Sequence, residues 1–257
     1  MTKTLAIVNQ KGGVGKTTTA VNVAACLAKI GKKTLILDFD PQGNASSYLG
    51  INIANLEKTS LEVLNKSSKL QDAVVQTGRE NLYVLPANIK LGSFNQGTTQ
   101  GRTDVLKNIL AESFAKTFDF IIIDCQPSLS LLTINAMAAS NGLVIAMQAE
   151  YLALDGLSQL LLTLKEVKQK MNVGLTILGI AITMYDKRNN LCVEVKNELV
   201  KNMPKELFKT AIPRVVKLAE SPSHGKTIFE YDPNGLASHA YRELTLEIVL
   251  RLSGESS

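Results

Sequence analysis

Apolar and polar positions alternate in blocks along the chain, with short apolar runs followed by longer stretches of helical spacing. Thr4–Asn9 is an apolar run of strand length. From Thr17 to Ile30 the apolar residues Ala20, Val23, Ala24, Leu27 and Ala28 fall on one face of a helix. Gly31 then stands where a left-handed residue closes a helix. Thr34–Asp38 and Leu82–Pro86 read as further strands. Phe118–Asp124, a run of aromatics and isoleucines ending in a carboxylate, reads as a strand buried on both faces. Gly142–Met147 and Thr176–Thr183 follow the same pattern. Helices are predicted over Thr103–Lys116, Ser128–Ser140, Asp155–Lys170, Cys192–Lys201 and Leu236–Leu252. In the last of these, Leu236, Ala240, Leu244, Ile248 and Leu252 form a core-facing stripe. Strands alternating with helices predict an α/β fold with a single doubly wound, mostly parallel sheet and helices on both faces. Asn88–Gly101, rich in Gly, Ser, Thr, Asn and Gln, reads as a long loop. No repeat or low-complexity linker divides the chain, so one domain is expected over residues 1–257, with a frayed tail at 254–257.

Composition narrows the classes. With 45% apolar and 20% charged residues, the chain can build an ordinary core, and wholesale disorder is excluded. Aromatics are only 5% and Trp is absent, which argues against a base-stacking platform for single strands. No window approaches the roughly 18 consecutive apolar residues of a membrane span. Met1–Gln10 lacks the basic, apolar and small-residue regions of a secretory signal. Cys26, Cys125 and Cys192 are far apart and form no CxxC, so a reducing cytosol is the natural compartment. The net charge of +5 is unevenly spread: Lys165–Lys217 holds 11 basic and 5 acidic residues, a net of +6, leaving −1 for the rest. This basic second half suggests a polyanion surface, with DNA the first candidate, against the alternative of lysines that merely solvate helix faces.

The sharpest chemistry lies at Lys11-Gly12-Gly13-Val14-Gly15-Lys16-Thr17-Thr18, between the first strand and the first helix. Glycines let several backbone N–H groups turn into one cavity, and the helix N-terminus adds partial positive charge. Lys16 is placed to reach the β- and γ-phosphates and the Thr17 hydroxyl to bind Mg²⁺. The usual phosphate loop has Gly five residues before the Gly of its Gly-Lys pair, where this chain has Gln10. A second lysine, Lys11, sits inside the loop instead. Two cations so close call for a polyphosphate or a carboxylate to neutralise them, and Lys11 is expected to contact phosphate, its own or a partner subunit's.

Asp38 and Asp40 follow the second strand in Asp38-Phe-Asp-Pro-Gln-Gly-Asn44, and Asp124 ends the central apolar strand. Such sheets bind ligands at the C-terminal ends of their strands. A carboxylate there, beside a phosphate loop, suits a Mg²⁺-bound water shell.

Lys11–Thr18, Asp38–Asn44, Asp124-Cys-Gln-Pro-Ser-Leu, Gln148–Leu157 and Ile212–Pro222 together resemble the ParA (Soj-like) partition ATPases of the deviant Walker A group, which also contains MinD. The resemblance runs from about Thr4 to about Leu252. It implies a P-loop ATPase that uses ATP and Mg²⁺, forms a homodimer on binding ATP, binds DNA without sequence preference and is stimulated by a ParB-like partner. Lys11 would cross into the partner's nucleotide, and Gly12 would sit at the dimer face. Lys16 and Thr17 would bind phosphate and Mg²⁺, Asp124 would be the Walker B carboxylate, and Asp40 would position the attacking water. Pro213 would lie near the adenine. Arg188 and Lys217 match the family's basic DNA-binding positions and fall inside the net-positive stretch. Where the family has two prolines after the Walker B Asp, this chain has Gln126-Pro127, which bears on switching and hydrolysis rate.

Only ten residues precede Lys11, too few for the helix-turn-helix arm of the larger ParA proteins. The last predicted helix lacks the basic face of a membrane-binding tail, so no membrane role is expected. The cysteines do not suit a shared iron–sulfur cluster, and His224 and His239 lack metal-ligand spacing. A cytoplasmic, nucleoid-associated partition switch is the leading expectation. A MinD-like positioning ATPase and a nucleotide-gated adaptor with little hydrolysis remain the alternatives.

Overall fold

The computed structural model describes residues 1–54, 56–96, 101–150 and 153–254. The first half runs β1 (Lys3–Val8), α1 (Lys16–Lys29), β2 (Thr34–Phe39), α2 (Asn44–Tyr48), α3 (Ser60–Leu64), α4 (Leu70–Ala73), β3 (Val75–Gln76) and β4 (Leu82–Leu85). It continues through α5 (Val105–Leu110), β5 (Phe120–Cys125), α6 (Leu131–Ala139), β6 (Gly142–Gln148) and α7 (Ala153–Lys170). The chain ends with β7 (Thr176–Thr183), α8 (Asn190–Asn202), α9 (Val216–Glu220), α10 (Ile228–Tyr231) and α11 (Leu236–Ser253).

The strands form one seven-stranded sheet in the order β3-β4-β2-β5-β1-β6-β7, parallel throughout except for the short β3 edge. Strand alternation sorts the side chains into two cores. Ala6, Val8, Leu35, Leu37, Ile121, Ile123 and Ile145 pack on the face covered by α3 and by α5 to α8. Leu5, Ile7, Ile36, Ile122, Val144 and Ala146 pack on the opposite face under α1, α2, α10 and α11. Both faces being covered, the central strands have no polar side, and this is why Phe120–Ile123 reads as an unbroken apolar run. The doubly wound sheet expected from the sequence is thus the observed fold.

Several local expectations change. The helix expected over Thr103–Lys116 stops at Leu110 and gives way to a 3₁₀ turn at Ala115–Thr117. Phe114 and Phe118 meet there edge to face at 5.5 Å, with Lys33 over the Phe118 ring. The expected loop from Asn88 contains a 3₁₀ helix at Ile89–Asn95, because Leu91 and Phe94 are drawn into the core. Residues 97–100 of that loop lie outside the described residues, as does the expected frayed tail beyond Gly254. In α11, Ala240, Leu244 and Ile248 are buried as expected, but Leu236 is 73% exposed. Steps of four residues precess by about 40° each, so a stripe of five such positions winds about 160° round the helix and one end leaves the core.

Candidate nucleotide site

The glycine loop follows β1 and opens α1. Gly13 and Gly15 have φ of +73° and +81°, a left-handed conformation that side chains rarely adopt. Gly15 is the N-cap of α1, where no side chain caps the helix and the first turn carries no acidic residue. The positive end of a 14-residue helix is left for an anion. Gly12 is exposed, and a Cβ there would approach Pro127 Cβ only to 4.0 Å. Packing within this chain places no steric demand for glycine at that position.

Lys16 is buried, and its Nζ donates to the Lys11 carbonyl at 2.8 Å. Burial lowers its pKa, against the opposing pull of Asp124, Cys125 and Asp40. The lysine thus rests on the loop's own backbone, where a phosphate oxygen could replace the carbonyl.

Asp38 and Asp124 face each other in register on β2 and β5, both fully buried. Their surroundings differ. Asp38 accepts from Ser46 N at 2.9 Å, Ser46 Oγ at 2.6 Å and Asp40 N at 3.2 Å. Burial nonetheless raises its pKa to about 6. Asp124 accepts no hydrogen bond on either oxygen from the described residues. Burial first, and Asp38 next, push its pKa well above the usual carboxylate range; the nearby Thr17 hydroxyl, outside hydrogen-bonding geometry, and Lys16 oppose the shift. A buried carboxylate without a donor is costly. A divalent cation or its water shell is the partner that hard oxygen ligands here suit, and the half-buried Thr17 is within the same cluster.

Asp40 is nearly buried and accepts from Gln42 N at 3.0 Å. The turn after it is tightly packed: Gly43 has φ +63°, and a Cβ would fall 2.7 Å from the Ala87 carbonyl oxygen. This fixes Asp40 at the edge of the sheet, with Lys16 and Asp124 close enough to feel its charge.

Beside the loop lies a cleft of 550 Å³, lined by Gly15, Thr18, Met184, Pro213, Val215 and Tyr241 among others. Its floor is tied to the loop by Thr183 Oγ, which donates to the Val14 carbonyl at 2.7 Å. The segment carrying Pro213 pairs with Tyr185 and is suspended from the last helix. Glu247 of α11 accepts from Lys209 N, Thr210 N and Thr210 Oγ. Pro213 therefore faces the same cleft as Gly15 and Thr18, the position a base would take if its phosphates lay in the loop.

The remaining basic candidates are all paired within the chain. Lys11 forms an ion pair with Glu150, just beyond β6. Arg188, 85% exposed at the rim of the cleft, is chelated by Asp186 at 3.0 and 2.8 Å. That contact holds the Asp186 carboxyl down at about 2. Lys217, on α9 along the cleft wall, pairs with Asp232 at 3.0 Å. The structure thus brings Lys16, Thr17, Asp40 and Asp124 to one edge, sets Pro213 in the adjoining cleft, and puts Arg188 at the rim of that cleft and Lys217 on the helix along its wall.

Sequence reasoning alone does not find Glu150, Asp186 and Glu247 as partners. Two lysines in one loop do signal a carboxylate, but nothing in the spacing picks Glu150 from 139 residues away. Tyr151 and Leu152 of the Gln148–Leu157 motif lie outside the described residues. Among the described residues no helix is long and apolar enough to cross a membrane.

The chain is similar to known proteins over nearly its whole length. A family described as an AAA domain matches residues 2–177. The chain is 48% identical to the sporulation initiation inhibitor protein Soj of Bacillus subtilis, over 96% of this chain and 98% of that one. It is 46% identical to the chromosome-partitioning ATPase Soj of Treponema pallidum, over 98% of each chain. Among solved structures, the cobyrinic acid a,c-diamide synthase of Mycobacterium smegmatis, with bound ADP and magnesium, superposes with a TM-score of 0.86 at 32% identity. That match covers 98% of this chain and 96% of the other.

Proposed function

The chain belongs to the Soj/ParA family of partition ATPases, and on that premise we propose that it is an ATP-driven dimerisation switch that partitions plasmid or chromosome DNA. The observation that carries the reading is Asp124, whose two buried, unpartnered oxygens lie beside Lys16 at the mouth of a glycine loop. The Soj relatives are also more similar in sequence than the synthase that shares the fold.

The loop N–H groups, Lys16 and Thr18 bind the phosphates of ATP, and Pro213 with its cleft wall takes the adenine. Thr17, Asp40 and Asp124 would hold a magnesium ion, which when bound supplies positive charge against the phosphates. Asp40 orients a water for attack, giving ADP and phosphate. Lys11 exchanges Glu150 for the nucleotide of a second subunit, with Gly12 at the face where the two loops meet. The closed dimer presents two copies of the basic surface that includes Arg188 and Lys217, and doubling the phosphate contacts steepens both DNA affinity and its salt dependence. A ParB-like partner accelerates an otherwise slow hydrolysis, which opens the dimer and releases the DNA, so the protein cycles on and off the nucleoid.

The test is binding to a random-sequence duplex with ATP, with ADP and without nucleotide, across a salt series. Binding that appears only with ATP and collapses with salt is expected. An ATP-dependent dimer that ignores DNA at every salt concentration would remove the DNA-partition reading while leaving the nucleotide site intact.

A further inference from the structure

Gln126 stands where the family pattern has proline, and its surroundings give it a use that proline could not have. It is the first residue after β5, two positions beyond Asp124. The turn it begins lies against the glycine loop, with Pro127 Cβ 4.0 Å from where a Cβ on Gly12 would sit. The Gln126 side chain is half-buried rather than solvated, and its Nε2 donates to Ser130 Oγ. Ser130 is the N-cap of α6, yet its hydroxyl caps no helical N–H, so that bond is replaceable at little cost to the helix. The carbonyl oxygen Oε1 of Gln126 has no hydrogen-bond partner among the described residues. The backbone is held independently, by Ser128 N on the Gln126 carbonyl at 2.9 Å and Thr133 Oγ on the Ser128 carbonyl at 2.6 Å. The side chain can therefore change partner while the turn stays in place.

We propose that Gln126 is a catalytic residue of this chain, its side-chain amide leaving Ser130 to accept a hydrogen bond from the attacking water through Oε1 and to donate to a γ-phosphate oxygen through Nε2. The proposal rests on the ATPase reading. An amide suits the position because it offers an acceptor and a donor without adding charge to an edge that already holds Asp38, Asp40 and Asp124. A neutral glutamine orienting water beside a phosphate loop is established chemistry in other nucleotide hydrolases. Gln126 itself neither gains nor loses a proton. The water oxygen bonds to the γ-phosphorus, the β–γ bridging oxygen leaves with the bonding pair on ADP, and the proton goes to the phosphate released.

A bracing role through Ser130 would look the same in a static structure, and mutation separates the two. Gln126→Ala, Gln126→Pro and Ser130→Ala are compared in the full chain for single-turnover hydrolysis of Mg-ATP and for ATP affinity. Gln126→Pro keeps the extended backbone that the residue before Pro127 needs while removing the amide. If Gln126 acts on the reaction, both Gln126 variants lose about tenfold or more in rate, the scale of a lost transition-state hydrogen bond, with ATP affinity within about twofold of wild type. Ser130→Ala, which frees the amide, then hydrolyses ATP at least as fast as wild type. Equal losses in Gln126→Ala and Ser130→Ala, or an unchanged rate in Gln126→Ala, would overturn the proposal. A wild-type chain that binds ATP and never hydrolyses it, even with its partner, would instead sink the ATPase reading beneath it.

Discussion

The phosphate edge of the sheet and the rim of the base cleft both carry charge, and they hold it in opposite ways. At the edge, Lys16, Asp38 and Asp124 are buried, and Asp124 has no donor among the described residues. At the rim, Arg188 and Lys217 are exposed, each beside a carboxylate of its own chain. A buried, unsatisfied group raises the free energy of the empty site and so strengthens the response to whatever satisfies it. An exposed pair costs little to make or break, so under the proposed function it can be traded for a DNA phosphate. On the proposed function, the edge suits tight, specific occupancy and the rim weak, reversible contact.

Changes at the edge should therefore be severe and those at the rim graded. Lys16→Ala should abolish ATP binding, raising the dissociation constant by about 100-fold or more, as charged hydrogen bonds of roughly 1.5–3 kcal/mol each would require; near-normal affinity by calorimetry would remove the loop from the nucleotide site. Asp40→Ala should still bind ATP and DNA but hydrolyse at least about 100-fold more slowly, the lower end of general acid–base contributions, measured as phosphate release. A normal rate there would reassign Asp40 to the turn it caps. Arg188→Glu should leave the ATP-bound dimer intact while weakening DNA binding and lowering the salt slope by about 1 for each DNA phosphate that the arginine neutralises. An unchanged slope would return Arg188 to Asp186 as an ordinary surface pair. Glu150→Gln frees Lys11 and should shift ATP-dependent dimerisation to protein concentrations no more than about fivefold lower, the range of an exposed ion pair, read by light scattering. A loss of dimerisation in this variant would show that Glu150 supports the closed state instead.

The central fold was legible because burial on both faces writes itself into the chain. Phe118–Asp124 and Thr34–Asp38 admit no polar position before their closing carboxylates apart from Asp119 and Thr34 at their starts, and Gly13 and Gly15 occupy left-handed backbone that the loop requires. The region between Asn44 and Gln76 was not legible. Its helices α2, α3 and α4 span four or five residues, too short for a 3.6-residue period to show, and local hydrogen bonds hold them in place. The Thr59–Glu62 capping box starts α3, and Ser46 on Asp38 starts α2. That Lys16, Thr17 and Asp124 meet at one edge was legible, the first two from the glycine loop and the third from its place at the end of an apolar strand. Glu150, Asp186 and Glu247 act through contacts that depend on tertiary placement, and a carboxylate at a strand end or on an amphipathic helix carries no mark of its partner.

The suspension of the cleft wall from Glu247 has a consequence for the order in which the molecule comes into being. The phosphate loop leaves the ribosome well before α11, and the wall bearing Pro213 is not anchored until that helix has followed, roughly 12–50 s later at typical rates of about 5–20 residues per second. A nascent chain can thus form the loop and the central strands long before it can enclose a base. Under the proposed function, enclosing the base of a nucleotide thus waits on the arrival of α11.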